Sequence, residues 1–132
     1  MVPPTMKKVI IMAININVSS YATLADTAKI ELSSIEAVHI SARRWFQQSY
    51  GNTYFSLSVD VEIGGKLVEV VNVPFQYGYG DHFDTVALEE FSKVVDLEGK
   101  EFSRGAYLSR FCRDNGITVY SHASDVKRKK DL

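Results

Sequence analysis

The clearest pattern in the chain runs from residue 54 to residue 63. Phe55, Leu57, Val59, Val61 and Ile63 alternate without a break with Tyr54, Ser56, Ser58, Asp60 and Glu62. Strict alternation puts the two sets on opposite faces of a β-strand, one packed and one wet. Gly64-Gly65 follows, and both central positions of a type I′ hairpin turn need positive φ, so a tight hairpin is expected there. With that turn Val61 opposes Val68 and Val59 opposes Val70, which keeps the apolar residues of "KLVEVVNVPF" on the packed side. Pro74 has no N–H to donate and should end this ladder. Upstream, Val38, Ile40 and Ala42 alternate with His39, Ser41 and Arg43, and Gly51-Asn52 supplies a turn into the clear strand. "KKVIIMAININV" (7–18) also reads as a strand, while 19–34 is ambiguous between a short helix and a strand.

The spacing changes after residue 84. In "DTVALEEFSKVVDLEG", Val86, Phe91, Val94 and Val95 with Ala87 or Leu88 form a helical stripe, capped by Asp84 and stopped at Gly99. A second helix is expected from about Arg104 to Asn115. Ser103 would be its cap, and Tyr107, Leu108, Phe111 and Cys112 its inner face. "ITVYS" then reads as a short final strand. The order predicts an α+β fold: an antiparallel β-meander sheet packed by two C-terminal helices, with a short final strand. Residues 1–132 read as a single domain, with the first six residues and the basic tail flexible.

Composition adds bounds. The 132 residues are 45% hydrophobic and 23% charged, with a net charge of −1, so there is material for one core and no global attraction for nucleic acid. The charge is uneven, with acids concentrated between Glu62 and Glu98 and the cations Lys127, Arg128, Lys129 and Lys130 near the end. A single cysteine, Cys112, rules out an intrachain disulfide and suits a reducing compartment. No apolar run nears the ~20 residues a membrane span needs. Lys7-Lys8 before Val9–Ile14 resembles the start of a secretory signal, but Asn15 and Asn17 interrupt the apolar run early. A cytoplasmic protein without membrane contact is expected.

Catalytic motifs are missing: no phosphate-binding loop, nucleophile elbow or paired-cysteine zinc signature is present. Neither a cofactor nor a metal is expected. Asp81, His82 and Asp84 are explained by an exposed loop. Cys112, on an apolar helix face, reads as a buried small hydrophobe rather than a nucleophile.

Three stretches carry binding chemistry instead. Arg43, Trp45 and Gln47 share the strand face opposite Val38, Ile40 and Ala42, where a ring could stack a base and Arg43 could pair a phosphate, although a sheet-edge cover or a dimer contact for Trp45 is the simpler explanation. In "VPFQYGYGDHFD", Tyr77 and Phe83 could stack on a planar ligand, although Asp81 and Asp84 would repel a phosphate and the bend is needed in any case. In "RFCRDNG", Arg110 and Arg113 could hold phosphate and Asp114 a ribose hydroxyl, or Arg113 and Asp114 could be an ordinary helix-end pair.

Together "RRWFQQSYGNTYFSLSVDVEIGGKLV", "VPFQYGYGDHF", "FCRDNGI" and "DVKRKKDL" resemble small phage-encoded accessory proteins. The order of a meander followed by two helices is similar to that of the phage anti-Thoeris sponge proteins, which withhold a cyclic ADP-ribose-type signal from its effector. That resemblance implies a non-enzymatic, symmetric homo-oligomer that sequesters a nucleotide-derived small molecule, with Phe83, Arg113 and Asp114 as ligand residues. The expected site is then Arg43, Tyr77, Phe83, Arg110, Arg113 and Asp114. Two other readings stand beside it: a nucleic-acid-binding accessory protein using the Arg43/Trp45 face and basic tail, and an inhibitor or adaptor binding a host protein through the acidic middle.

Overall fold

The computed structural model describes residues 29–132. The strand expected at 7–18 therefore lies outside the described residues, as does most of 19–34. The chain forms β1 (Ile30–Glu31), β2 (Ala37–Gln47), β3 (Asn52–Ile63), β4 (Lys66–Tyr77), α1 (His82–Val94), β5 (Val95–Asp96), α2 (Leu108–Asp114) and β6 (Thr118–Val126), with 3-10 turns at Leu32–Ser34 and Lys129–Asp131. β2, β3 and β4 form the antiparallel meander, with Gly64 and Gly65 at φ 57° and 78° in the expected hairpin turn. The α+β class is as expected. The final strand differs: β6 has nine residues and lies parallel to β2, giving the mixed sheet order β4-β3-β2-β6. β1 and β5 make a separate two-residue parallel pair.

The alternation of β3 becomes burial. Phe55, Leu57, Val59, Val61 and Ile63 are buried beneath the helices, joined by Val38 and Ile40 of β2. α1 adds Val86, Ala87, Leu88, Phe91 and Val94 to this layer, and α2 adds Leu108, Phe111 and Cys112. Complete burial of a side chain such as Phe91 or Leu88 contributes about 2–3 kcal/mol each. Burial also raises the Cys112 thiol to about 12, with Asp84 adding to the rise and Arg113 opposing it, so it stays protonated and inert at neutral pH.

β4 departs from the simple register. Val61 faces Val68 as expected, but Val59 faces Val71, because Val70 is the extra residue of a bulge between Asp60↔Glu69 and Val59↔Val71. A second irregularity separates Leu57↔Val73 from Phe55↔Gln76, so Pro74 sits in a bulge and pairing continues to Tyr77 rather than ending. Each inserted residue reverses which way the following side chains point. The first bulge turns Val71 and Val73 toward the core; the second turns Phe75 and Tyr77 back out.

The helix boundaries also need correction. α2 begins at Leu108 rather than Arg104, since Gly105 at φ 82° is incompatible with a continuing helix. Tyr107 is thus an exposed residue preceding α2, not part of its inner face, and Ser103 is no cap. Asp84 does not cap α1. It lies buried in the first turn of α1 and accepts from the Ser109 backbone N–H (3.0 Å) and hydroxyl (2.5 Å), capping the start of α2 across 25 residues.

Candidate binding surface

The helices cover one face of the sheet, leaving the other to carry the polar set. Trp45 of β2 stands opposite Tyr54 of β3, which stands opposite Tyr77 of β4. Tyr54 stacks between Trp45 (ring centroids 5.8 Å, planes 28° apart) and Phe75 (4.7 Å, 14°), and meets Tyr77 edge-on at 5.6 Å. Rings at these spacings and angles are offset-stacked against one another. Their faces are mostly turned toward neighbouring rings, so a planar ligand must extend the pile at an end or slide over its edges. Tyr79 continues the cluster, meeting Tyr77 at 5.2 Å, while its hydroxyl reaches Gly51 O and Asn52 Oδ1, each at 3.4 Å. The Tyr77 hydroxyl is raised above its ordinary value, chiefly by its hydrogen bond with Tyr79.

Next to the rings the face is lined by small residues. Ser41, Ser56 and Ser58 floor an open cavity of about 300 Å³, with Arg43, Glu69, Asn72 and Pro74 among its walls and Leu132 at its rim. Serines on two neighbouring strands, Ser41 on β2 and Ser56 and Ser58 on β3, leave room where larger side chains would fill it. On the far side lies an acid and imidazole group. His39 Nε2 is 2.6 Å from Glu62 Oε2, and its ring stacks on Tyr120 at 4.8 Å. Asp60, opposite His39, is held above its ordinary carboxylate value by partial burial, against the pull of His39. The outer face therefore has an aromatic end, a polar hollow and an acidic end.

Residues from 127 onward lie over the aromatic end and the hollow. Lys129 Nζ sits 5.0 Å from the centroid of the Phe75 ring, and Arg43 Nη1 donates to the Asp131 carbonyl at 3.4 Å. Arg128 holds both Asp131 carboxylate oxygens, at 3.1 and 3.2 Å. The end of the chain forms a short 3-10 turn, Lys129–Asp131, against the sheet.

The expected site residues divide. Arg43 and Tyr77 lie on the outer face with the rings. Phe83 is buried in the core at 4% exposure, which corrects its expected place among stacking rings: its side chain packs in the helical layer and not on the outer face. Arg110 and Asp114 form an exposed i,i+4 pair at 3.4 Å on α2 and line a groove with Phe102, and Arg113, also exposed, sits in the last turn of the helix. These three belong to the helical layer, so within one chain they do not meet Arg43. Ser41, Ser56, Ser58 and Asn72 are not among the expected residues, and Phe75, a candidate stacking ring of the loop, is not among the expected site residues either. The available signal was the run of small polar residues on the wet face of β3; the role of Phe75 depends on the bulge.

Arg44, on the helical side, fixes the "YGYG" loop. It donates to Gly80 O at 3.1 Å, pairs with Asp125 at 3.1 Å and lies 3.8 Å from Asp81. Among the described residues, no group of three or more His, Cys, Asp or Glu side chains is placed to hold a metal ion, and no helix is long and apolar enough to cross a membrane. No protein-family model, curated protein or solved structure matches the chain.

Proposed function

We propose that this is a non-enzymatic binding protein that captures a planar, anionic, nucleotide-like small molecule on the outer face of its sheet. The observation that carries this reading is the position of Arg43 on the wall of a serine-floored hollow, beside the stack of Trp45, Tyr54 and Phe75. A guanidinium suits phosphate, hydroxyls and the Asn72 amide suit a ribose or phosphate oxygen, and rings suit a base. Sequestering a diffusible signal in the cytoplasm, as in the phage sponge proteins that the sequence resembles, is the biological form of this reading. A homo-oligomer would be needed for Arg110, Arg113 and Asp114 to join the site from another copy.

The test is to denature purified protein and identify released small molecules by mass spectrometry, then titrate AMP, ADP and ADP-ribose by calorimetry. Arg43→Ala should weaken binding by about tenfold or more, the scale of a lost charge-assisted hydrogen bond, with little change in thermal midpoint. A protein that releases nothing and binds none of the three at millimolar concentration is not such a binder. Single-stranded nucleic acid is the second reading, favoured by Lys129 lying against the same aromatic cluster. That ligand would show affinity falling steeply with added salt and rising with oligonucleotide length.

A further inference from the structure

We infer that residues 128–132 act as a self-inhibitory strap over the outer-face site, and that a ligand must displace them to bind. This rests on the proposal that the outer face is where ligand binds. Three parts of the strap occupy features a nucleotide would use. The Asp131 carbonyl takes the Arg43 guanidinium, Lys129 lies over the Phe75 ring, and Leu132 lines the hollow above the serines. The Phe75 ring is an end of the stack, where a planar ligand would continue it, so Lys129 covers a position that matters.

The strap is built to hold its shape yet grip the sheet weakly. Its own turn is secured by the two-point pairing of Arg128 with Asp131. Its attachments to the sheet are slighter: the Arg43 bond is at the long end of the useful range at 3.4 Å, and both it and the Lys129 contact are at exposed side chains. A segment held in this way exchanges between closed and open positions. The apparent affinity for any ligand that needs the open form is reduced by the fraction of molecules that are open. The strap thereby sets a concentration threshold for capture.

The experiment compares the full chain with two variants: a chain ending at Lys127, and the double variant Lys129→Ala/Leu132→Gly. AMP, ADP and ADP-ribose are titrated while following the fluorescence of the single tryptophan, Trp45. Circular dichroism checks that each variant is folded. The shortened chain loses three cations and one carboxylate, a change that by itself weakens attraction for an anion. Tighter binding in spite of that loss, by about tenfold in both variants, is the expected result. Equal affinity in all three proteins overturns the strap and leaves the surface reading intact. Weaker binding in the variants also overturns it, because the tail would then be part of the site. If neither the full chain nor the variants bind, the surface reading falls and the strap falls with it.

Discussion

Gly78 shows how a glycine in an aromatic loop can have a structural purpose. Its φ is not in the left-handed region, yet a Cβ there would lie 2.6 Å from His82 Cδ2 and 2.9 Å from Phe55 Cε2. His82 is exposed and can swing away, but the Phe55 ring is buried and cannot. Gly78→Ala should therefore lower stability by about 1–3 kcal/mol, read from denaturant unfolding, through overpacking; an unchanged midpoint would show that the loop yields more easily than this packing implies. Asp60 makes a second residue-scale case. Burial holds its carboxyl above the ordinary 3.8, so in the window above that value the folded chain keeps a proton that the unfolded chain has released. Stability is then highest below the unfolded value and falls as pH rises through the folded one. Asp60→Asn should raise the thermal midpoint at pH 7 and change it little near pH 3. A loss at pH 7 would mean that the attraction between Asp60 and His39 outweighs desolvation.

At the scale of elements, α2 is the one whose existence depends most on something distant. Seven residues are too few for an independent helix. What holds α2 is the burial of Leu108, Phe111 and Cys112 together with the Asp84 carboxylate on its first turn. Asp84→Ala would leave the buried Ser109 groups without that acceptor, at a cost of about 2–3 kcal/mol. Hydrogen exchange should show residues 108–114 opening before the sheet does; uniform protection across the molecule would refute such a local role. Spacing alone overextended this helix to Arg104 because apolar residues there matched the period, and nothing local marks Gly105 as a left-handed turn. The β3–β4 hairpin was legible for the opposite reason: turn chemistry at Gly64-Gly65 and alternation on both strands agree, and both are local. The bulges were not legible. Whether Val70 or Val71 faces the core depends on how β4 bends over β3 and under α1, and no feature of "VEVVNV" by itself selects one.

The whole molecule separates its two surfaces by charge and shape. One is closed by helices; the other is divided into rings, a polar hollow and an acidic end, with residues 128–132 lying across part of it. Of the expected site residues, Arg43 was placed by alternation on the exposed face, which is a local property, whereas Tyr77 was read as a loop residue and owes its outward direction to the bulge at Pro74. Phe83 was misplaced because the same apolar ring serves equally as a ligand platform or a core residue, and only the packing of α1 on the sheet decides between them. Arg110, Arg113 and Asp114 were correctly read as a helix-end group, but the distance between that group and Arg43 depends on which side of the sheet α2 packs. The sequence by itself determined the α+β class, the meander, the face of each residue in β2 and β3, and the burial of Cys112, since periodicity and turn chemistry act over a few residues. The tertiary structure decided the parallel place of β6 beside β2, the bulges that turn Phe75 and Tyr77 outward, the cap from Asp84 to Ser109, and the lie of the tail over Arg43. Each of these joins residues far apart in the chain, and their energies exist only once the layers have packed.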